Sequence, residues 1–423
     1  MKVVHINTLD QLGGAARAAY RLHEGLRRIG QTSQMFVLKK ESCDPDVIQY
    51  EMKKDVRSRL RRNVRQRLIK RGIKRYLASA PNGLGFFVDD RTPYGKDPWK
   101  QLPENDVIQL HWVSGFLDYE GFFSCLPPRK PLVWTVHGME AATGGCCYNE
   151  GCDKFAERCG ACPQLASSYE ADITREIWVR KSRSYQALAA EQLHVVSPSR
   201  WMRDEVKRSS LLSRFRCSVI PNGLDTEVFR PQNPQAARER FGIPLDAEAI
   251  LFVADGIHIR RKGLHLLVEA LAGGKLDSEL FLISLGPGFP PDLSRFPHKH
   301  IEPIQDDGVL SQIYSAADVL VVPSVQDNLP NTALEAISCG TPVVGFAVGG
   351  IPDLIRPGQT GFLAKRLESG DLRRAILEAL SDRERLKNMS ANCRKIACQE
   401  FSRETQARRY AALYQEMIER SRN

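Results

Sequence analysis

The sequence predicts two α/β domains, each a parallel sheet wrapped by helices on both faces. Two observations carry this. Ten runs of four to seven mostly apolar residues are separated by helix-length segments. Strands buried on both faces read in this continuous way, whereas half-exposed strands alternate. At 423 residues the chain also exceeds what one ordinary core organises, so the runs divide between two domains.

In chain order, the first domain takes VVHIN (3–7), QMFVL (34–38), DVIQL (106–110), PLVWTV (131–136) and LHVVS (193–197). The second takes AILFVA (249–254), LFLISLG (280–286), VLVVPS (319–324), TPVVGF (341–346) and GFLA (361–364). The first domain is set at 1–198 and the second at 199–398, with Asn222-Gly223 and Pro231 punctuating the join in SVIPNGLDTEVFRP. Residues 399–423 form a last helix opened by a Ser402 cap, with Tyr410, Leu413, Tyr414 and Met417 on one face, and return to the first domain. In sheets of this kind ligands bind beyond the carboxyl ends of the strands.

A hydrophobic content of 42% is that of a soluble globular enzyme, and no run of eighteen apolar residues occurs. The opening MKVVHINTLDQLGGAAR begins directly on a strand without the apolar stretch of a signal peptide, so the expected location is cytoplasmic. The net charge of +10 is concentrated: residues 53–75 hold twelve Lys or Arg against one acid, Asp55, a net +11 that leaves −1 for everything else. Val56, Leu60, Val64 and Leu68 recur every four residues there, so 53–77 reads as a helix with an apolar stripe in a basic surround. Such a helix fits the anionic inner face of a membrane. The plainer alternative is a solvated helix packed on its own domain by that stripe. Nucleic acid is not expected, because no binding motif or aromatic interleaving accompanies the charge.

Five of eleven cysteines fall in GGCCYNEGCDKFAERCGACP, an insertion at 144–163. Cys146, Cys152, Cys159 and Cys162 give C-x5-C-x6-C-x2-C, with Cys147 an alternative first ligand. Disulfides are rare in the cytosol, and four such thiols can supply a tetrahedral structural zinc site. Free or redox-labile thiols are the alternative.

The densest chemistry lies in PSVQDNLPNTALEAISCGTPVVGFAVGG (323–350). It reads as strand, polar loop, a helix starting near Asn331, and a second strand. Asp327 and Glu335 stand eight residues apart across that helix start, whose amides and dipole suit a phosphate. Upstream, Gly13-Gly14 in INTLDQLGGAARAAY permit close approach of a ligand to the backbone. His137 in TVHG ends a buried strand, and Arg261-Lys262-Gly263 precede the apolar helix GLHLLVEAL. HIEPIQDDG ends a strand near Ile304, and GGIPDLIRPGQTGFL links two strands.

Together these segments resemble the retaining glycosyltransferases of family 4 (glycosyl transferases group 1, the exopolysaccharide and lipopolysaccharide type), with Asp327 in place of the first Glu of the E-x7-E motif. The resemblance implies a GT-B fold, two Rossmann-like domains facing across a cleft. It implies transfer of a hexose from a UDP- or GDP-sugar to a hydroxyl of a glycan or lipid-linked acceptor, in polysaccharide biosynthesis and without a catalytic metal. It assigns His137 and Asp327 to the donor sugar, with the backbone of Asn328, Leu329 and Pro330. Lys262, Arg261 and the amides of Asn331 and Thr332 fall to the diphosphate, Glu335 to the ribose, and Ile304 to the base. The family often carries an Arg five positions before the Lys. Ile257 stands there, so Arg260 or Arg261 is the expected second cation. A nucleotide-sugar epimerase of the same fold, or a non-catalytic binding protein, is the alternative function.

Overall fold

The computed structural model describes residues 1–77, 87–273, 280–288, 293 and 296–422. The chain divides into two compact units, Met1–Pro221 with Gln406–Asn423, and Asn222–Thr405. The first therefore runs beyond 198, because a further strand and its preceding helix still add to its sheet.

Among the described residues the first unit holds seven strands: β1 (Lys2–Leu9), β2 (Thr32–Lys39), β3 (Val47–Gln49), β4 (Val107–Leu110), β5 (Leu132–Thr135), β6 (Leu193–Ser197) and β7 (Arg216–Val219). They pair in parallel in the order β3-β2-β1-β4-β5-β6-β7. The second holds β8 (Glu248–Val253), β9 (Leu280–Leu285), β10 (His298–Ile301), β11 (Val319–Val322), β12 (Val343–Phe346) and β13 (Gly361–Ala364). These are again parallel, in the order β10-β9-β8-β11-β12-β13. Each order reverses once, between β1 and β4 and between β8 and β11, and such a reversal leaves a crevice at the strands' carboxyl ends.

All ten expected runs form strands. The three that the pattern did not reveal are β3, β7 and β10, whose sequences VIQ, RCSV and HKHI carry half-exposed or exposed residues. All three are edges, where only one neighbour supplies burial.

The interior strands owe their unbroken apolar runs to two cores per sheet. In β11, Leu320 and Val322 enter one core, while Val319 and Val321 enter the other. In β5, Leu132 and Trp134 face the first unit's larger core. Val133 faces a smaller one shared with Leu22, Leu26, Tyr410 and Tyr414. That core is closed by the C-terminal helix Arg403–Arg422, whose start Ser402 caps by accepting from the Thr405 amide at 3.1 Å.

Two polar residues on the covered face need partners because burial removes water from them. The helix supplies them. The Tyr414 hydroxyl donates to Gln109 Oε1 at 2.9 Å, and Gln109 Nε2 donates to Thr135 Oγ1 at 2.9 Å. Thr135 Oγ1 meets the Tyr410 hydroxyl at 2.7 Å. Tyr414→Phe keeps the packing and strands Gln109 Oε1. It is expected to lower stability by about 1–3 kcal/mol, read as a lower denaturation midpoint of the first unit. An unchanged midpoint would mean that this network contributes nothing.

Candidate active site

In the second unit the crevice between β8 and β11 holds the charged residues. Leaving β8, the chain makes a single turn of 3-10 helix, Arg260–Lys262, and then enters the helix Leu264–Ala272 through Gly263. Gly263 has φ +75°, and a Cβ there would lie 1.8 Å from the Pro323 carbonyl oxygen, so only glycine lets this turn rest on the end of β11. The contact brings Lys262 Nζ to 2.9 Å from Asp327 Oδ2 and Arg261 to 3.4 Å from the same oxygen. Arg261 also donates to the Gln326 carbonyl at 2.7 Å, whereas Arg260 is exposed. Of the two candidate second cations, Arg261 stands at the carboxylate. Ile257, where the family often has Arg, is buried in the core.

Asp327 is 5% exposed, and burial by itself would raise its pKa. The charges of Lys262 and Arg261, the Lys262 hydrogen bond and the Asn328 amide at 3.0 Å outweigh this and hold it at about 2. Its loop is clamped from behind. Gly350 N donates to the Asp327 carbonyl at 2.9 Å, and a Cβ on Gly349 would lie 2.1 Å from that oxygen. The Gly/Pro-rich link thus sets the position of Asp327.

The helix after the loop is Asn331–Ser338, with Pro330 as its N-cap. Asn328, Leu329 and Pro330 lead into it and are buried, Leu329 as part of the core. Asn331 and Thr332 are half-buried, at the end where helix geometry points amides outward. Glu335, 5% exposed, accepts from the Tyr314 hydroxyl at 2.8 Å. Asn331 Oδ1 accepts from Asn222 at 3.1 Å. Tyr314 and Asn222 were not legible as site residues, since their partners lie 21 and 109 residues away. Ile304 lies three residues beyond the carboxyl end of β10, half-buried against the core.

In the first unit, Gly13 takes φ +90° between β1 and the helix Gly14–Arg28. His137 follows β5 and is half-buried. Its Nε2 lies 3.0 Å from His111 Nδ1, and His111 Nε2 lies 2.9 Å from His5 Nδ1. Burial pushes His5 and His111 well below the ordinary histidine range and His137 down to about 4, so all three rings are neutral near pH 7.

Cys146, Cys152, Cys159 and Cys162 line one cavity of about 20 Å³, room for a single water- or ion-sized body. The Gly144 amide donates to Cys159 Sγ at 3.1 Å. Burial raises the pKa of Cys146 and of Cys162, and pushes Cys159 up to about 11. Among the described residues, however, no group of three or more His, Cys, Asp or Glu side chains is set to hold a metal ion. The four thiols expected for a zinc knuckle are thus gathered around one cavity without standing in ligand geometry. Cys147 does not line the cavity.

The basic segment forms the helix Val56–Leu77. Its more protected positions are 58, 62, 65, 69, 72, 73 and 76, and Arg65 donates to Asp118 at 2.6 Å. The apolar stripe faces away: Val56, Leu60, Val64 and Leu68 are 82, 63, 48 and 64% exposed. Packing through that stripe, the plainer reading of the sequence, is thereby overturned. No described helix is long and apolar enough to cross a membrane.

Residues 12–228 match the Glycosyltransferase Family 4 model, and residues 247–382 match that of Glycosyl transferases group 1. The chain is 36% identical over 297 residues to a D-inositol 3-phosphate glycosyltransferase of Mycolicibacterium smegmatis, covering 66% of this chain and 60% of that one. It is 31% identical over 221 residues to the protein of the same name from Thermobispora bispora, covering 48% and 51%. The chain spans about half the length of the curated relatives it matches. Among solved structures it resembles sucrose-phosphate synthase from Thermosynechococcus elongatus, with a TM-score of 0.66 at 21% identity over 99% of this chain and 100% of that one. It also resembles Anabaena HepE in complex with UDP and glucose, with a TM-score of 0.67 at 16% identity over 98% and 100%. The two parallel sheets agree with these likenesses in fold, and the family model matches more than half of the sequence: the chain belongs to glycosyltransferase family 4 and has the GT-B fold.

Proposed function

We propose that this protein transfers a hexose, with retention, from a UDP- or GDP-sugar to a hydroxyl of a glycan or lipid-linked acceptor. The observation that carries the reading is the Lys262–Asp327–Arg261 cluster at the sheet's switch point, beside the start of the Asn331 helix. A diphosphate there meets two cations and a helix N-terminus, the groups that stabilise charge on a departing phosphate. In the transfer, the bond from the sugar C1 to the β-phosphate oxygen breaks with its electron pair on that oxygen. The acceptor oxygen bonds to C1 from the same face, and its proton passes to the departing phosphate. Lys262 and Arg261 stabilise the diphosphate, so no divalent metal is required. Asp327 keeps both cations aimed, and Glu335, held by Tyr314, accepts from the ribose. HepE, crystallised with UDP and glucose, supports a uridine donor. The curated relatives act on an inositol phosphate by name, which supports a polyol or sugar hydroxyl as acceptor.

Thermal shift with a panel of nucleoside diphosphates, then transfer assays with the matching sugars, tests the donor. Lys262→Ala is expected to lose about 2–4 kcal/mol of transition-state stabilisation while still folding. Glu335→Ala is expected mainly to weaken nucleotide binding, and activity should persist in EDTA. A Lys262→Ala enzyme with unchanged kcat would remove the assignment. Epimerised donor without transfer would favour the epimerase reading.

The helix Val56–Leu77 is the surface for an anionic membrane, where a lipid-linked acceptor would be found. Its outward stripe of Val56, Leu60, Val64 and Leu68 is interleaved with Arg57, Arg61, Arg67 and Arg71, so apolar insertion and headgroup attraction act on one face. Vesicles containing anionic lipid should co-sediment the protein at low salt and release it at 1 M salt, where the Debye length is about 3 Å. Changing those four arginines to Glu should abolish binding and spare transfer to a soluble acceptor. Equal binding to neutral vesicles would defeat the idea.

The cysteine cavity is the place for a structural zinc ion, which would draw four thiolates in from their protonated positions. Protein purified without added zinc should carry about one Zn per chain. Metal-free protein whose four cysteines alkylate freely in the native state would refute it.

A further inference from the structure

Lys181 lies in the helix Ile173–Gln186 and is wholly buried. A buried ammonium is costly without an anion beside it. Here its hydrogen bonds go to two backbone carbonyls, those of Glu140 and Thr143, and it lies 5.5 Å from the centre of the Tyr119 ring. The nearby acids are engaged elsewhere or turned away. Asp90 takes a bidentate pair from Arg180, at 2.6 and 3.2 Å. Glu140 offers Lys181 its carbonyl, while its Oε2 is buried without a hydrogen bond, and burial pushes its carboxyl up to about 7. Among the described residues no carboxylate stands within ion-pair distance of Lys181.

The Thr143–Gly144 peptide shows what this charge faces. Its carbonyl accepts from Lys181 Nζ at 3.1 Å, and its N–H donates to Cys159 Sγ at 3.1 Å. A trans peptide points its C=O and N–H in opposite directions, so one peptide dipole stands between ammonium and sulfur. A cation at the oxygen and an anion at the N–H each strengthen the other's bond. Only glycine allows the approach: a Cβ on Gly144 would lie 2.8 Å from Cys159 Cβ and 2.4 Å from the Thr174 carbonyl oxygen. The same helix grips the far end of the cysteine cluster, since its cap Asp172 accepts from the Cys162 amide at 2.8 Å. Cys159 and Cys162 line the cavity together with Cys146 and Cys152. Four thiolates around a divalent cation carry net negative charge, which is the partner that the buried ammonium lacks.

We propose that Lys181 is the built-in counter-charge of the cysteine cavity, acting on Cys159 through the Thr143–Gly144 peptide, so that the cavity takes a soft divalent cation as its thiolate complex. Lys181 is then a positioning residue, which acts through a peptide and not by contact with the metal. The inference rests on the zinc reading above and goes beyond it by naming the group that balances the complex.

Cobalt(II) added to the reduced full-length protein, after chelator has stripped it of metal, reports the site, because thiolate ligation gives charge-transfer absorption. Zinc affinity follows by competition. Wild-type protein that takes up neither metal and whose four cysteines alkylate freely overturns the zinc reading and this inference together. Where the wild type binds, Lys181→Met is expected to weaken binding about 10- to 100-fold, the usual worth of a partner behind a metal ligand. Unchanged affinity would overturn the inference and leave the zinc reading standing. The route through the peptide has its own signature. In a Cys159→Ser background Lys181→Met should cost little further, whereas beside Cys162→Ser it should keep its full cost. Equal costs in both backgrounds overturn the route. A last measurement needs no variant, and so stands even if Lys181→Met fails to fold. NMR of the cadmium-113-loaded wild type should show Lys181 as a protonated ammonium, and the Gly144 amide proton coupled to cadmium through the Cys159 sulfur. A neutral Lys181 amine or an uncoupled Gly144 proton overturns the proposal.

Discussion

Asp327 is a carboxylate taken almost wholly out of water, and it stays ionised only because two cations reach it. Burial and pairing are the opposed terms, and here pairing wins by enough to hold the acid at about 2. The geometry behind that outcome is made of backbone. Gly263 lets the turn carrying Arg261 and Lys262 touch the end of β11, and Gly349 lets a second loop touch Asp327 from behind. A side chain at either glycine would drive the charges apart. Breaking such a pair by removing one partner costs more than the pair contributes as a whole, because the remaining charge is stranded. The cluster is therefore preorganised: its cations are aimed before any anion arrives, and on the proposed function an incoming diphosphate competes with Asp327 for them.

At two places the first unit answers the same problem, polar groups without water, with neutral partners. Gln109 and Thr135 are satisfied by two tyrosines of the C-terminal helix, and the three histidines satisfy one another across adjacent strands. Positive charge in this unit is concentrated on the helix Val56–Leu77, which is held through Arg65, Ile73 and Tyr76 and turns Val56, Leu60, Val64 and Leu68 outward. That stripe faces the opposite way from ordinary amphipathic packing.

Much of this was legible in the sequence where burial is two-sided. β11 announces itself because each of its residues faces one of two cores, whereas β3, β7 and β10 do not, because these edge strands are half-solvated and their composition drifts toward polar. The start of the helix at Asn331, and Asp327 and Glu335 on either side of it, were readable from local pattern, as was His137 at a strand end. Tyr314, Asn222, His5 and His111 were not, since each acquires its meaning only from a partner brought near by strand order. His5 and His111 stand inside or beside apolar runs and look there like ordinary core histidines. The four cysteines were legible as a group, but their spacing could not say whether the sulfurs close to ligand distance, and the stripe at 56–68 could not say which way it faces.

The first unit is built from both ends of the chain, with residues 222–405 inserted between its parts. During synthesis on a ribosome, the sheet face bearing Val3, Val107, Val133 and Val196 emerges long before Tyr410, Tyr414 and Met417 that cover it. While the second unit folds, that face waits half-finished, with Gln109 and Thr135 still open to water. Residues 406–422, which seal that core, are thus made only after the whole second unit, and loss of two turns of their helix would be felt as far back as β1.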